Sequence, residues 1–170
     1  YIKQGCDLSF ITGVNHFILH GFNYSPPEAG FPGWIRYGTY LSEQNPWWPY
    51  FRLWADYNAR LSWVFQQSEP VVQVAILGPE ADIWSEHGLE RGPFVHQPEY
   101  LHYLWQAVHQ NGCSADYLSE GVLQNALIQD GRICMGPMRY PVLLLAEVES
   151  IQPETARAIR RFADQGGRIA

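Results

Sequence analysis

Two histidines four positions apart are the residues of this chain best placed for chemistry. They are His16 and His20, in the stretch Asn15-His16-Phe17-Ile18-Leu19-His20. If the stretch is a β-strand, His16 and His20 share one face, because side chains alternate, and Asn15 points the other way. No third metal ligand lies nearby, so we expect no metal site and favour a polar pocket at the carboxyl end of the strand. The alternative is a pair of histidines satisfied by local hydrogen bonds.

The loop that follows, residues 21–45, is long and rich in aromatic side chains, and Trp34, Trp47 and Trp48 stand in it or just after it. Long ordered loops are usually functional. Sugar rings stack their C–H faces on tryptophan while their hydroxyl groups need amides or imidazoles. The three tryptophans therefore predict sugar contacts, with packing of the loop as the alternative. Trp54 and Trp63, which fall on a predicted helix, are expected to pack in a core.

Hydrolysis of a glycosidic bond usually needs two carboxylates that flank the bond. Only Asp7, Glu28 and Glu43 precede the predicted helix, and none follows a clear strand. The sequence therefore gives no catalytic pair.

Nucleophilic catalysis is not indicated either. The strand expected before Glu149-Ser150 lacks the Gly-x-Ser-x-Gly elbow, and Gly78-Pro79-Glu80-Ala81 is not a phosphate-binding loop. Cys6, Cys113 and Cys134 form no Cys-x-x-Cys pair, which predicts free thiols.

The predicted helices and strands that position these residues fall into two parts of the chain, which meet near residue 68. The first part predicts a strand over 12–21 and a helix over 46–67, capped by Asn45-Pro46 and with an apolar stripe that includes Leu53 and Val64. The second part alternates apolar strands with helices. Strands are expected at 71–79, 115–118, 131–135, 141–148 and from 168, and helices at 98–110, 120–127 and from Pro153, whose inner stripe would be Ala156, Ile159, Phe162 and Ala163. The segment with Trp84 and His87 is expected to be a loop. This is an α/β pattern of the doubly wound type.

Composition excludes several classes of protein. The 170 residues are 46% hydrophobic, which excludes disorder, and the net charge of −6 argues against a nucleic-acid partner. No apolar run is long enough for a membrane helix. The chain begins with Tyr1 rather than Met and stops as a strand would begin, so we expect a fragment of a longer protein.

Several motifs of the first part resemble the end of the catalytic barrel in α-L-rhamnosidase-like glycoside hydrolases of family 106. They are Gly13-Val14-Asn15-His16-Phe17-Ile18-Leu19-His20-Gly21-Phe22, Phe31-Pro32-Gly33-Trp34, Tyr37-Gly38-Thr39 and Asn45-Pro46-Trp47-Trp48. The second part, with Val74-Ala75-Ile76-Leu77 and the ending Gly166-Gly167-Arg168, resembles the flavodoxin-like or glutamine-amidotransferase-like module that follows such barrels.

The resemblance implies the last β/α unit of a TIM-type barrel over residues 1–68 and a truncated, non-catalytic flavodoxin-like domain over 69–170. It implies hydrolysis of glycosidic bonds, including those of α-L-rhamnosides, by a parent protein whose catalytic acids lie outside this chain. His16, His20, Asn15, Trp34, Trp47 and Trp48 would bind the carbohydrate substrate, no cofactor is implied, and the partner of this segment would be the rest of the parent chain. Such polysaccharide-degrading enzymes are often exported. Two alternatives stay open: a non-catalytic carbohydrate-binding or assembly module of the amidotransferase-like fold, and an amidotransferase-like enzyme with a reactive thiol.

Overall fold

A computed structural model describes residues 2–21, 24–34, 41–87 and 100–170. The chain divides into two compact units, Tyr1–Glu69 and Pro70–Ala170, which are called here the first and the second unit. The motif Tyr37-Gly38-Thr39 and the predicted helix start at Pro98 lie outside the described residues. No helix in the described part of the chain combines the length and apolar character of a membrane span.

The first unit is built on two helices, α1 (Ile2–Ile11) and α2 (Phe51–Gln66), with single 3-10 turns at Pro27–Ala29 and Trp48–Tyr50. Phe10 of α1 is buried and stacks on Phe65 of α2, with ring centroids 5.3 Å apart. Phe17 contacts the Phe10 ring edge-on, with ring centroids 4.8 Å apart. These aromatic contacts bring the segment after α1 back against α2, which places His16 beside that helix.

The strand predicted over residues 12–21 is absent from the structure. Residues 12 and 13 form a turn, and residues 14–19 have irregular backbone without a ladder partner in the described chain. Gly13 at the turn has a φ of 102°, a conformation that favours glycine. β-formers alone do not make a strand, because the backbone N–H and C=O groups need a neighbouring strand to pair with. The prediction that His16 and His20 lie on one face of a β-strand is therefore wrong.

Helix α2 confirms the helix predicted over 46–67, but it begins at Phe51, and Asn45 does not cap it. Instead, the Asn45 side-chain oxygen accepts from the backbone N–H of Trp47 at 3.2 Å. The predicted apolar stripe is largely uncovered, with Leu53 69% exposed. Trp63 is 67% exposed, so the expectation that it packs in a core is also wrong.

The second unit is an α/β fold around a four-stranded parallel sheet in the order β2-β1-β6-β7, with a separate antiparallel sheet in the order β3-β4-β5. Its strands are β1 (Val74–Leu77), β2 (Ala115–Leu118), β3 (Leu127–Gln129), β4 (Arg132–Met135), β5 (Met138–Tyr140), β6 (Val142–Leu145) and β7 (Arg168–Ile169). Its helices are α3 (Glu80–His87), α4 (Tyr100–Gln110), α5 (Glu120–Asn125) and α6 (Pro153–Asp164). The α/β class predicted from the sequence is confirmed.

Helices cover both faces of the parallel sheet. On one face Leu77 and Leu143 pack with Phe162 of α6, in a cluster whose members are almost fully buried. On the other face Ile76 packs with Ile83 of α3 and Leu104 of α4. Neighbouring residues of one strand thus serve opposite layers, as the period of two requires.

Two details of the second unit differ from the sequence predictions. Residues 80–87, expected to be a loop, form α3, which begins after Pro79 and has Glu80 and Asp82 in its first turn. The inner stripe of α6 consists of Thr155, Ala158 and Phe162, whereas Ala156 and Ala163 are exposed. A polar Thr155 can be buried because its hydroxyl is paired with the Glu120 carboxylate at 2.5 Å.

Tyr140 gives the second unit an expected alkaline sensitivity. Its ring is buried, and its hydroxyl donates to Asp116 Oδ2 at 2.8 Å. Burial, reinforced by this hydrogen bond, raises the pKa of Tyr140 well above its ordinary value. The neutral hydroxyl therefore stabilises the fold fully below about pH 10, where tyrosine ionises in an unfolded chain, and that stability is lost as the pH rises further.

We expect the free energy of unfolding to fall by about 1.4 kcal/mol per pH unit above about pH 10, and Tyr140→Phe to remove this part of the slope. At neutral pH the same variant should lose about 1–3 kcal/mol, because Asp116 loses its donor. Urea unfolding at a series of alkaline pH values measures both effects. Tyr103→Phe, which removes an exposed hydroxyl from the same unit, is the control. An alkaline slope that is equal in wild type and Tyr140→Phe would contradict this account.

Candidate functional site

His16 lies in the wall of an open hollow of about 520 Å³ in the first unit, called here the His16 hollow. Its size is within the range of small-molecule sites. Helix α2 supplies one wall and the segment after α1 supplies the other. Its lining mixes polar side chains with aromatic and aliphatic ones, and none of the described lining residues is Asp, Glu, Lys or Arg; the residues are His16, Phe17, Leu19, Phe51, Trp54, Ala55, Asn58, Ala59, Ser62, Trp63 and Gln66.

Gln66 orients the His16 ring. Its Nε2 donates to the backbone carbonyl of Asn15 at 3.0 Å and lies 3.3 Å from His16 Nδ1. Because a carbonyl oxygen only accepts, the Gln66 atom at both contacts is the amide nitrogen, and the neutral His16 ring accepts at Nδ1. The ring proton then sits on Nε2, which leaves His16 one N–H donor for a ligand.

One turn of α2 carries a donor and an acceptor that lack partners. Trp54 Nε1 and Asn58 Oδ1 are both buried and have no hydrogen-bond partner among the described residues, while Asn58 Nδ2 donates to the Trp54 carbonyl at 2.8 Å. Buried polar atoms without partners are rare and costly. A hydroxyl group carries both a donor and an acceptor, so it is the kind of group that can satisfy both atoms.

A second hollow of about 430 Å³ adjoins the first and is called here the Trp47 hollow. The two hollows share three side chains, Leu19, Phe51 and Trp54. The lining of the Trp47 hollow is predominantly apolar, and none of its described residues is charged; they are Ile2, Gly5, Cys6, Ser9, Leu19, Leu41, Trp47, Tyr50, Phe51 and Trp54.

The predicted binding residues are thus divided between different places. His16 and Trp47 line separate hollows, and Asn15 contributes its backbone carbonyl to the Gln66 contact. Trp48 stacks on Phe51, with centroids 5.0 Å apart. Trp34 is 67% exposed, and neither Trp34 nor His20 lines either hollow.

Asn58, Ser62 and Gln66 were not predicted as site residues from the sequence. Their spacing of four residues places them on one side of α2, in line with Trp54, and that regular spacing is the signal that would have found them. A polar residue every fourth position normally indicates a solvated helix face. Only the return of residues 14–19 over α2 turns this face into the wall of a site.

No carboxylate lines either hollow. Asp7 is bound to Lys3 Nζ at 2.5 Å and accepts from the Tyr57 hydroxyl at 2.6 Å. The hydrogen bond from Lys3, followed by that from Tyr57, lowers the pKa of Asp7, so Asp7 is an ionised link between α1 and α2 and no proton donor. Glu28 and Glu43 are exposed.

The acids near the carboxyl ends of the parallel strands hold the backbone in place. Asp82 accepts from the N–H groups of Glu149 and Ser150 at 3.0 and 3.2 Å, and the bond from Glu149 contributes most to lowering the pKa of Asp82. Glu120, which is buried, accepts from the N–H of Gln152 at 2.8 Å at the start of α6. These carboxylates fix the loops between the strands and the helices.

The three cysteines are free thiols, as predicted. Cys113 precedes β2 at its amino end, Cys134 lies in the antiparallel sheet, and Cys6 is buried in α1. None of them follows a parallel strand, where an amidotransferase-like nucleophile would have to lie. The described residues also contain no group of three His, Cys, Asp or Glu side chains that could hold a metal ion.

The sequence of the chain matches a known protein family over its full length. The model of glycoside hydrolase family 106, described as α-L-rhamnosidase, matches residues 1–170. The chain belongs to this family. The resemblance seen in the sequence motifs is therefore confirmed, and the hollows described above are features of a family 106 chain.

A curated relative is the protein named "Putative beta-glucuronidase" from Formosa agariphila. It is 26% identical over 172 residues, which cover 99% of this chain and 13% of the relative. The chain thus spans about an eighth of the length of that relative. Both comparisons are with proteins described as glycoside-cleaving enzymes.

Proposed function

We propose that the chain is a segment of a longer family 106 enzyme that hydrolyses α-L-rhamnosides, and that its first unit binds the sugar. The observation that carries this proposal is the His16 hollow, with one oriented N–H donor from His16 and side-chain amides from Asn58 and Gln66. Neutral polar groups beside aromatic rings suit an uncharged sugar. His16 and His20 orient substrate hydroxyl groups, and Asn15, Trp34, Trp47 and Trp48 are further binding groups.

The catalytic carboxylate pair comes from another part of the longer protein. This part of the proposal is supported by the described lining of the two hollows, which contains no Asp or Glu. It is also supported by Asp7, whose carboxylate is already bound to Lys3 and Tyr57. In the longer protein the first unit forms the last part of a TIM-type barrel. The second unit is a flavodoxin-like domain without catalytic residues. This is supported by Asp82 and Glu120, which accept from the backbone, by Asp116, which accepts from Tyr140, and by the positions of Cys113 and Cys134, neither of which follows a parallel strand.

Turnover of aryl α-L-rhamnosides tests the proposal. We expect the 170-residue chain to release no phenol above the uncatalysed rate, because it lacks the acid and the base, and the longer gene product to release it readily. Colorimetric assays of both proteins at equal concentration measure this difference. Clear turnover by the 170-residue chain that is abolished by Glu28→Gln or Glu43→Gln would overturn the proposal, and so would an inactive longer protein.

A further inference from the structure

The turn after helix α4 contains Asn111, the one asparagine of the sequence that is followed by a glycine. Asn111 and Gly112 are both exposed, and Gly112 has a φ of 78°. The N–H of Gly112 donates to the His109 carbonyl at 3.0 Å, and the N–H of Cys113 donates to the Val108 carbonyl at 3.2 Å. These two bonds form a Schellman motif, which commonly ends a helix at a glycine. The shape of this turn therefore favours glycine after Asn111.

The same glycine leaves the asparagine side chain open to attack by the backbone. Because glycine has no Cβ atom and adopts many backbone conformations, the Gly112 nitrogen can approach the side-chain carbonyl carbon of Asn111 closely. The nitrogen loses its proton and bonds to that carbon, which releases its amide nitrogen as ammonia, and a cyclic imide forms. Water then opens the imide at one of its two carbonyls and leaves aspartate or isoaspartate. Water is thus the one co-reactant.

We propose that Asn111 is a modification site, at which the side-chain amide converts spontaneously to a carboxylate. In the folded chain Asn111 Nδ2 donates to the Ala107 carbonyl at 2.9 Å, and the Gly112 N–H is bound by His109. The reaction therefore proceeds when the last turn of α4 frays, as helix ends do. The product weakens that turn, because a carboxylate has no donor for the Ala107 carbonyl and its charge lies at the negative end of the helix dipole.

The weakened turn leads directly into β2, which lies at one end of the parallel sheet. The N–H of Ser114 donates to Gln73 Oε1 at 2.9 Å, and the Ser114 carbonyl accepts from the N–H of Val74 at 3.1 Å. These bonds hold the turn against the start of β1. Isoaspartate inserts a methylene group into the backbone just before them, so we expect modification to loosen the entry into β2.

Asn125 is a matched control within the same chain. It is also exposed, it ends helix α5, and its Nδ2 donates to the Gly121 carbonyl at 2.7 Å, but an alanine follows it. The 170-residue chain is incubated at mildly alkaline pH and digested, and mass spectrometry follows amide-to-acid conversion at each asparagine. We expect Asn111 to convert at least about 10-fold faster than Asn125, because the Cβ atom of Ala126 crowds ring closure. Conversion at Asn111 that is no faster than at Asn125 would overturn the proposal.

Two variants test the effect on the fold by hydrogen exchange of the peptide that spans residues 111–118. Asn111→Asp should raise its exchange rate by about 5-fold, because the carboxylate destabilises the end of α4. Asn111→Gln keeps an uncharged amide and should exchange within about 2-fold of wild type, without conversion at this position. A wild-type exchange rate in Asn111→Asp would show that the modification does not weaken the turn, and conversion of Asn111→Gln as fast as wild type would contradict the cyclic route.

Discussion

Replacing Phe162 with alanine should lower the free energy of unfolding of the second unit by about 3–5 kcal/mol. Phe162 has no exposed surface and joins α6 to the parallel sheet through the cluster that includes Leu77 and Leu143. Removing the ring forfeits its burial and leaves a cavity that the surrounding strands fill only in part. Because small domains are stable by only about 5–15 kcal/mol, the variant should be close to unfolding at physiological temperature.

Urea unfolding combined with hydrogen exchange of peptides from β6 and α6 measures this loss within the second unit. Trp84→Ala is the control, because Trp84 is a large aromatic residue of the same unit that is 80% exposed. It should change stability by less than about 0.5 kcal/mol. A loss below about 1 kcal/mol in Phe162→Ala would contradict the packing described here.

The glycine pair after α6 has two separate causes, and the Phe162 ring is one of them. Gly166 has a φ of 87°, the left-handed conformation that commonly ends a helix. At Gly167 a Cβ atom would lie 2.3 Å from Phe162 Cε2, so only glycine fits beneath the ring. The sequence motif Gly166-Gly167-Arg168 therefore reflects one need of the backbone and one of the core.

The antiparallel strands β3 and β5 were missed, and Leu127 was expected in a helix, but the parallel strands of the second unit were predictable from the sequence because they are buried on both faces. Such strands are short, continuous apolar runs, and β1 and β6 both fall within predicted runs. Helix α3 was missed because its residues have no clear apolar stripe. Its usable signal was Pro79 followed by Glu80 and Asp82, a typical helix start.

The first unit was harder to predict because its elements depend on long-range partners. A segment of β-formers such as residues 14–20 becomes a strand only beside another strand, and the sequence pattern does not contain that neighbour. In the site, residue type predicted His16 and Trp47 as binding residues of one pocket, whereas the structure places each in its own hollow, and their binding of sugar stays a prediction. Asn58 and Gln66 escaped notice because polar side chains on a helix usually face solvent.

A large functional effect is expected at His16. In the proposed complex its Nε2–H donates to a sugar hydroxyl, and Gln66 holds the ring in the tautomer that makes this possible. His16→Ala removes the donor and leaves the hydroxyl unpaired in the hollow. We expect the kcat/KM of the longer family 106 enzyme for an aryl α-L-rhamnoside to fall by about 10- to 100-fold, which corresponds to about 1.4–2.7 kcal/mol.

The most direct test of sugar binding by the first unit is this kcat/KM, measured for wild type, His16→Ala and His109→Ala. His109 is the matched control, because its Nδ1 pairs with the Trp105 carbonyl at 2.9 Å within α4 of the second unit, outside both hollows. The account predicts the large loss for His16→Ala and a change of less than about 2-fold for His109→Ala. A His16→Ala enzyme that is folded and keeps the wild-type kcat/KM would contradict it.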